Sequence, residues 1–256
     1  MGVSKRFISK ILRPLGLEIV RRVDAPELAG MDDMTDREQA ILSAVLPYTM
    51  TGPFRVAALL HSLKFLVHAG IPGDIVECGV WRGGGMMAAA LTLLELGDIS
   101  RNLYLYDTFE GLPPPTESDL THDGTPAKEQ YDRVLKRDGV AWCYSGIDEV
   151  RKNMNCTGYP VEKIIYVKGK VEHTVPRTLP NHIALLRLDT DWYESTKHEM
   201  QHMFPLLDLR GILIIDDYGH WQGAQKAVDE YFAARGPLPY LHRIDYTGRI
   251  LARGSH

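Results

Sequence analysis

The chain has 256 residues, 45% hydrophobic and 24% charged, with a net charge of −4. That balance is that of a soluble globular protein of one large domain or a domain with a small extension. It offers no electrostatic reason to bind nucleic acid, and no apolar run is long enough for integral membrane contact.

Cys78, Cys143 and Cys156 form no Cys-x-x-Cys pair. An odd, sparse set argues against a disulfide framework or a zinc site and points to a reducing cytoplasm. No signal peptide is visible.

Met1–Arg22 is locally basic, with Lys5, Arg6, Lys10, Arg13, Arg21 and Arg22 against Glu18. Phe7, Ile8, Ile11 and Leu12 share one helical face, so the segment reads as a membrane-surface or partner helix, or as a solvated arm or dimer contact. Ala25–Met34 is acidic and turn-like. Thr35 and Glu38 have capping-box spacing and predict a helix running to about Val45. The loop 47–53 leads into a helix over Phe54–Ala69, stopped by Gly70-Ile71-Pro72-Gly73. That loop either folds over a ligand or serves as core and cap.

Gly73–Gly85 reads as strand, glycine turn and helix. Ile75 and Val76 are strand formers, Glu77 ends the run, Gly79, Gly83, Gly84 and Gly85 break it, and Met86–Leu96 is helical. This is how an open α/β sheet binds a nucleotide-like ligand. A dinucleotide fingerprint would need Gly-x-Gly-x-x-Gly and bare N–H groups for a pyrophosphate. Here the spacing is Glu77-x-Gly79-x-x-x-Gly83-Gly84, and a carboxylate repels a diphosphate but attracts a cation. S-adenosylmethionine carries a sulfonium and an ammonium. The next run, Leu103–Tyr106, ends in Asp107, where an acid takes ribose hydroxyls.

Thr108–Pro115 opens a long polar insertion, a lid or a disordered segment by its length. Helical patterns resume over 126–136 and Ile147–Asn155, and a strand over Ile164–Val167 runs into Lys168-Gly169-Lys170. Strands over His182–Leu188 and Gly211–Ile215 flank a crossover helix over Glu194–Leu207. Alternating strands and helices predict a parallel sheet covered on both faces. The last two strands end in Asp189-Thr190-Asp191 and Asp216-Asp217, side by side at the ligand-binding rim. Four converging carboxylates need neutralising, and Mg²⁺ prefers such oxygen donors; single acids there serve as helix caps instead.

Four segments together resemble the macrocin O-methyltransferase family: Val76–Gly84, Tyr106–Pro113, Leu186–Tyr193 and Ile214–Tyr218. The resemblance implies a Rossmann-like class I methyltransferase fold, α/β with a mostly parallel seven-stranded sheet and helices on both faces. It implies an N-terminal arm and helical extension over 1–48, and a methyltransferase domain over 49–252 with a lid at about 113–145. Residues 253–256 look like a tag remnant. The implied activity is S-adenosylmethionine- and Mg²⁺-dependent methylation of a sugar hydroxyl, in a glycan, polysaccharide precursor or glycosylated natural product, by a homodimer. Cofactor contacts are implied at Thr49, Met50, Glu77, Gly79, Asp107, Thr108, Phe109, Lys168, Gly169 and Asp189. Asp191, Asp216 and Asp217 take the metal positions, with Asp191 the base. His220, Trp142, Tyr144 and Trp221 are candidates for the acceptor. The alternatives are a catechol-type O-methyltransferase, a nicotinamide dehydrogenase and a non-catalytic adenosyl-binding scaffold.

Overall fold

The computed structural model describes residues 30–236 and 239–254. The chain divides into Met1–Asp33 and Met34–His256, and the fold and site lie in the larger unit. The basic arm, Ser255 and His256 lie outside the described residues.

Helix α1, Asp36–Val45, starts where the sequence predicts. Thr35 accepts from the Glu38 N–H, and the Glu38 side chain accepts from the Thr35 N–H at 2.7 Å, completing the capping box. Burial opposes ionisation of Glu38, but hydrogen bonds from Lys64 and Thr35 outweigh it and hold its pKa at about 2. Helix α2, Pro53–His68, has proline at its first position, where no N–H is required.

Strands β1 (Asp74–Cys78), β2 (Leu103–Asp107), β3 (Ile164–Lys168), β4 (Ile183–Leu188) and β5 (Leu207–Ile215) are parallel. Strands β6 (His242–Arg243) and β7 (Arg249–Ala252) close the far edge in antiparallel fashion. Among the described residues these form one seven-stranded sheet in the order β3-β2-β1-β4-β5-β7-β6. Strand order reverses at the β1–β4 pair, the crevice where open α/β sheets take ligands. Helices α3 (Gly84–Glu95), α4 (Ala127–Asp138), α5 (Ile147–Asn155), α6 (Val171–Thr174), α7 (Tyr193–His202) and α8 (Gln222–Ala233) complete the fold.

Side chains alternate across the sheet. Val76, Leu186, Leu188, Leu213 and Ile215 bury one face against Met200 of α7 and Val228 of α8. The opposite alternation sends Glu77, Arg187 and Ile214 to the other face, and Glu77 and Arg187 are register partners.

The crossover helix ends earlier than the sequence predicts. It stops at His202 and a 3₁₀ turn covers Phe204–Leu206, because Pro205 has no N–H to continue an α-helix. Leu207 therefore opens β5 four residues before the expected start. Arg253, grouped by sequence with a tag remnant, belongs to the fold. Its N–H donates to Gly211, and its guanidinium donates to the carbonyls of Pro205 and Leu207. No helix among the described residues is long and apolar enough to cross a membrane.

Thr35→Ala opens the capping box and is expected to cost about 1 kcal/mol. In a domain of this size that is roughly 2–4 °C in Tm by calorimetry, with Thr35→Ser near the wild-type value.

Candidate active site

The hydrogen-bond ladder continues one residue past the strand ends. Gly79 donates to Tyr106 at 2.8 Å, Asp189 to Cys78 at 2.9 Å, Asp216 to Leu188 at 2.9 Å and Gly169 to Asp107 at 2.9 Å. These bonds fix one rim, above which a cavity of about 390 Å³ opens. Glu77, Gly79, Asp107, Thr108, Gly169, Asp189, Asp191, Asp216 and Asp217 line it, as do Thr49 and Met50 from the loop before α2.

Two of the sequence-predicted cofactor residues stand apart from that lining. Lys168 is exposed and pairs with Glu110 at 2.9 Å. Phe109 is buried against Tyr166, and its backbone N–H, rather than its ring, serves the site by donating to Asp107 at 2.7 Å.

Asp107 organises the glycine turn. Its Oδ2 accepts from the N–H groups of Val80 and Trp81, at 2.8 and 3.1 Å. The turn N–H groups that a pyrophosphate would need are therefore already engaged by a carboxylate, which disfavours a dinucleotide. Burial raises the Asp107 pKa, against the lowering effect of these bonds. Gly79 has φ +82°, and a Cβ there would lie 1.9 Å from the Asp189 carbonyl oxygen. A Cβ on Gly85 would lie 2.3 Å from Glu77 Oε1. Only glycine lets the β1 turn, the β4 end and α3 approach this closely.

The counter-charge that the acidic rim requires is supplied in part by an arginine of β4. Arg187 is buried and bonds Glu77 Oε1, Asp216 Oδ1 at 2.5 Å and Thr51 Oγ1 at 2.5 Å. It also lies 2.8 Å from Asp189 Oδ2. Arg55 of α2 bonds the other oxygen of Asp216 and donates to Asp245 at 3.0 Å. A lone arginine inside the apolar run Ile183–Leu188 was the available signal, since a buried guanidinium demands buried acids.

The most tightly clustered acids overlap the metal positions implied by resemblance at Asp216 and Asp217, with Asp189 as the third member. Asp189, Asp216 and Asp217 offer oxygens within 4.8 Å of one another. Asp191 lies outside this trio: it adopts φ 65°, and its Oδ1 accepts from the Trp221 indole N–H at 2.7 Å. Burial raises the Asp189 and Asp217 pKa values well above the usual carboxylate range. Burial raises Asp191 to about 7, helped by the Asp216 charge and opposed by the Trp221 bond. Asp217 Oδ2 and Glu77 Oε2 are buried without a hydrogen-bond partner. A clustered, hard-oxygen donor set with one orphaned oxygen fits a divalent cation such as Mg²⁺. The orphaned Glu77 oxygen beside the cavity fits a cationic ligand group.

The polar insertion is an ordered cover. Asp119 is fully buried and accepts from Thr116 N–H at 2.7 Å and from Tyr193 N–H, at the start of α7, at 2.8 Å. Leu120 accepts from Gln222 N–H, at the start of α8, at 2.8 Å. The cover thus caps both helices that follow the acidic strand ends. Trp142, Trp192 and Trp221 pack together beneath it, with Trp142 and Trp221 lining the cavity. Tyr144 is exposed and outside that lining, and His220 is bonded to Tyr246 at the cavity edge.

The family model for Macrocin-O-methyltransferase (TylF) matches residues 14–253. A Streptomyces olivaceus protein, 8-demethyl-8-(2,3-dimethoxy-alpha-L-rhamnosyl)-tetracenomycin-C 4'-O-methyltransferase, is 29% identical over 92% of this chain and 91% of its own. Demethyldecarbamoylnovobiocin O-methyltransferase of Streptomyces niveus is 30% identical over 78% of this chain and 74% of its own. Among solved structures, the O-methyltransferase NovP superposes with a TM-score of 0.70 at 28% identity, covering 81% of this chain and 82% of its own. The calicheamicin methyltransferase CalS11 shares the fold, with a TM-score of 0.61 at 18% identity over 93% of this chain and 100% of its own. With the rim motifs in place and the family match spanning nearly the whole chain, the protein belongs to the macrocin-O-methyltransferase family.

Proposed function

We propose that the chain methylates a sugar hydroxyl, using S-adenosylmethionine as donor and Mg²⁺ as an electrostatic aid. The observation that carries this reading is the cavity itself. It gathers Gly79, Asp107 and the unpartnered oxygen of Glu77 together with the trio Asp189, Asp216 and Asp217 and with Asp191 beside them. The relative named for a rhamnosyl tetracenomycin supports a glycosylated natural product as acceptor.

In this reading Glu77, Asp107 and the Gly79 turn hold the donor, with Thr49, Met50 and Thr108 around it. Asp189, Asp216 and Asp217 hold the cation. When bound, the donor supplies an electrophilic methyl group and the cation supplies positive charge where an alkoxide develops. Asp191 takes the proton from the acceptor hydroxyl, and the Trp221 N–H fixes its other oxygen in place. Burial pushes that carboxyl up from the usual aspartate range, which makes it a stronger proton acceptor than an exposed aspartate. The cover, anchored by Asp119, excludes water, and the remaining catalysis is placement.

Asp191→Asn should lower methyl incorporation from radiolabelled donor by at least about 100-fold, the usual worth of a general base. S-adenosylhomocysteine binding by calorimetry should stay within about two-fold. Undiminished incorporation would exclude Asp191 as the base.

Chelation should silence turnover, and added Mg²⁺ should restore it. Because the base must be ionised, kcat should climb with pH through the Asp191 titration and then level off. Raising Mg²⁺ should move that limb to lower pH, since nearby positive charge favours the carboxylate. Turnover indifferent to EDTA would remove the cation from the reaction.

A further inference from the structure

Asp216 is held from both sides. Its Oδ1 accepts from Arg187 and its Oδ2 from Arg55, and its side chain is 4% exposed. Arg187 is pinned, because it also bonds Glu77 and Thr51 and faces Asp189. Arg55 is strung between two carboxylates. Its inner nitrogen partner is Asp216 at the cation trio. Its outer partner is Asp245, 3.0 Å from Nε, on the turn between β6 and β7. Asp245 is itself fixed, since its other oxygen accepts from the N–H groups of Thr247 and Gly248 at 3.0 and 2.7 Å. It is also the wetter end, with a side chain 21% exposed.

A guanidinium and a divalent cation compete for the same carboxylate charge. Two positive groups a few ångströms apart repel strongly in a site shielded from water. We propose that Arg55 is a built-in competitor of the divalent cation, neutralising Asp216 in the empty site and withdrawing onto Asp245 when the site is loaded. The Arg55–Asp245 pair then sets how tightly the cation is held. The trio binds its cation weakly and exchangeably, while Asp216 never stands as an uncompensated buried charge. This rests on the cation reading of the trio under the proposed function.

Binding of Mn²⁺, followed by loss of the free-ion paramagnetic resonance signal in the absence of acceptor, tests it on the full chain. Arg55→Met should bind Mn²⁺ at least about ten-fold more tightly than the wild type, because one positive charge beside the cation is removed and withdrawal onto Asp245 relieves only part of that repulsion in the wild type. Arg55→Gln serves as a second variant if the first melts early. Asp245→Asn should act in the opposite direction, weakening binding about three-fold by removing the landing place. On the Arg55→Met background Asp245→Asn should do nothing, and this non-additivity separates withdrawal from a simple loss of negative charge. Equal or weaker binding by both Arg55 variants overturns the proposal, as does an Asp245→Asn effect that persists in full without Arg55. If the variants and the wild type bind Mn²⁺ alike, only the role of Arg55 falls. If none binds it, the cation reading falls and takes this proposal with it.

Discussion

The Arg187 guanidinium is the interaction on which the rim depends. It stands at the β1–β4 reversal and bonds Glu77, Asp216 and Thr51, with Asp189 beside it. Without a cation there, the buried carboxylates of Glu77 and Asp216 and the partly buried one of Asp189 would face one another in a poorly solvated crevice, an arrangement that expels charge or shifts it to the protonated form. The same side chain ties the tip of β1 to the ends of β4 and β5, because Glu77, Asp189 and Asp216 all meet its guanidinium. Strand alternation makes this unavoidable: Glu77 and Arg187 are cross-strand partners, and Asp189 and Asp216 follow two residues after Arg187 and Ile214.

Around that clamp the backbone is used as sparingly as the side chains. Asp107 spends its carboxylate on the N–H groups of Val80, Trp81 and Phe109, so the second strand's acid shapes the first strand's turn. The insertion after β2 returns the favour to later elements by capping α7 through Asp119 and α8 through Leu120. The loops bearing Asp191 and Asp217 are thus held both by the ladder below and by the cover above.

Much of this was legible in the order of residues. Glu77, Gly79 and Asp107 announce themselves because each interrupts an apolar run at a strand tip, and a capping box at Thr35 needs only local spacing. The acids at 189, 191, 216 and 217 were visible as a group. Their division of labour was not, since it depends on the left-handed backbone of Asp191 and on an indole thirty residues away. Arg55 and Asp119 were hidden for a related reason. Arg55 lies in the first turn of α2 and Asp119 in a polar stretch, positions where a charged residue is usually solvated, and only tertiary packing shields them. The β6 and β7 edge escaped because strands of two and four residues leave almost no periodic signal.

The three indoles under the cover lead somewhere else. Trp142 comes from the insertion, Trp192 from the end of β4 and Trp221 from the end of β5, with ring centroids 5.1–6.4 Å apart. Chromophores that close exchange excitation, so the trio forms a native optical gauge spanning three separate segments of the chain. Ultraviolet emission and near-ultraviolet dichroism from this cluster would register the posture of the insertion without any attached dye. The chain carries only one further tryptophan, Trp81, to dilute that light.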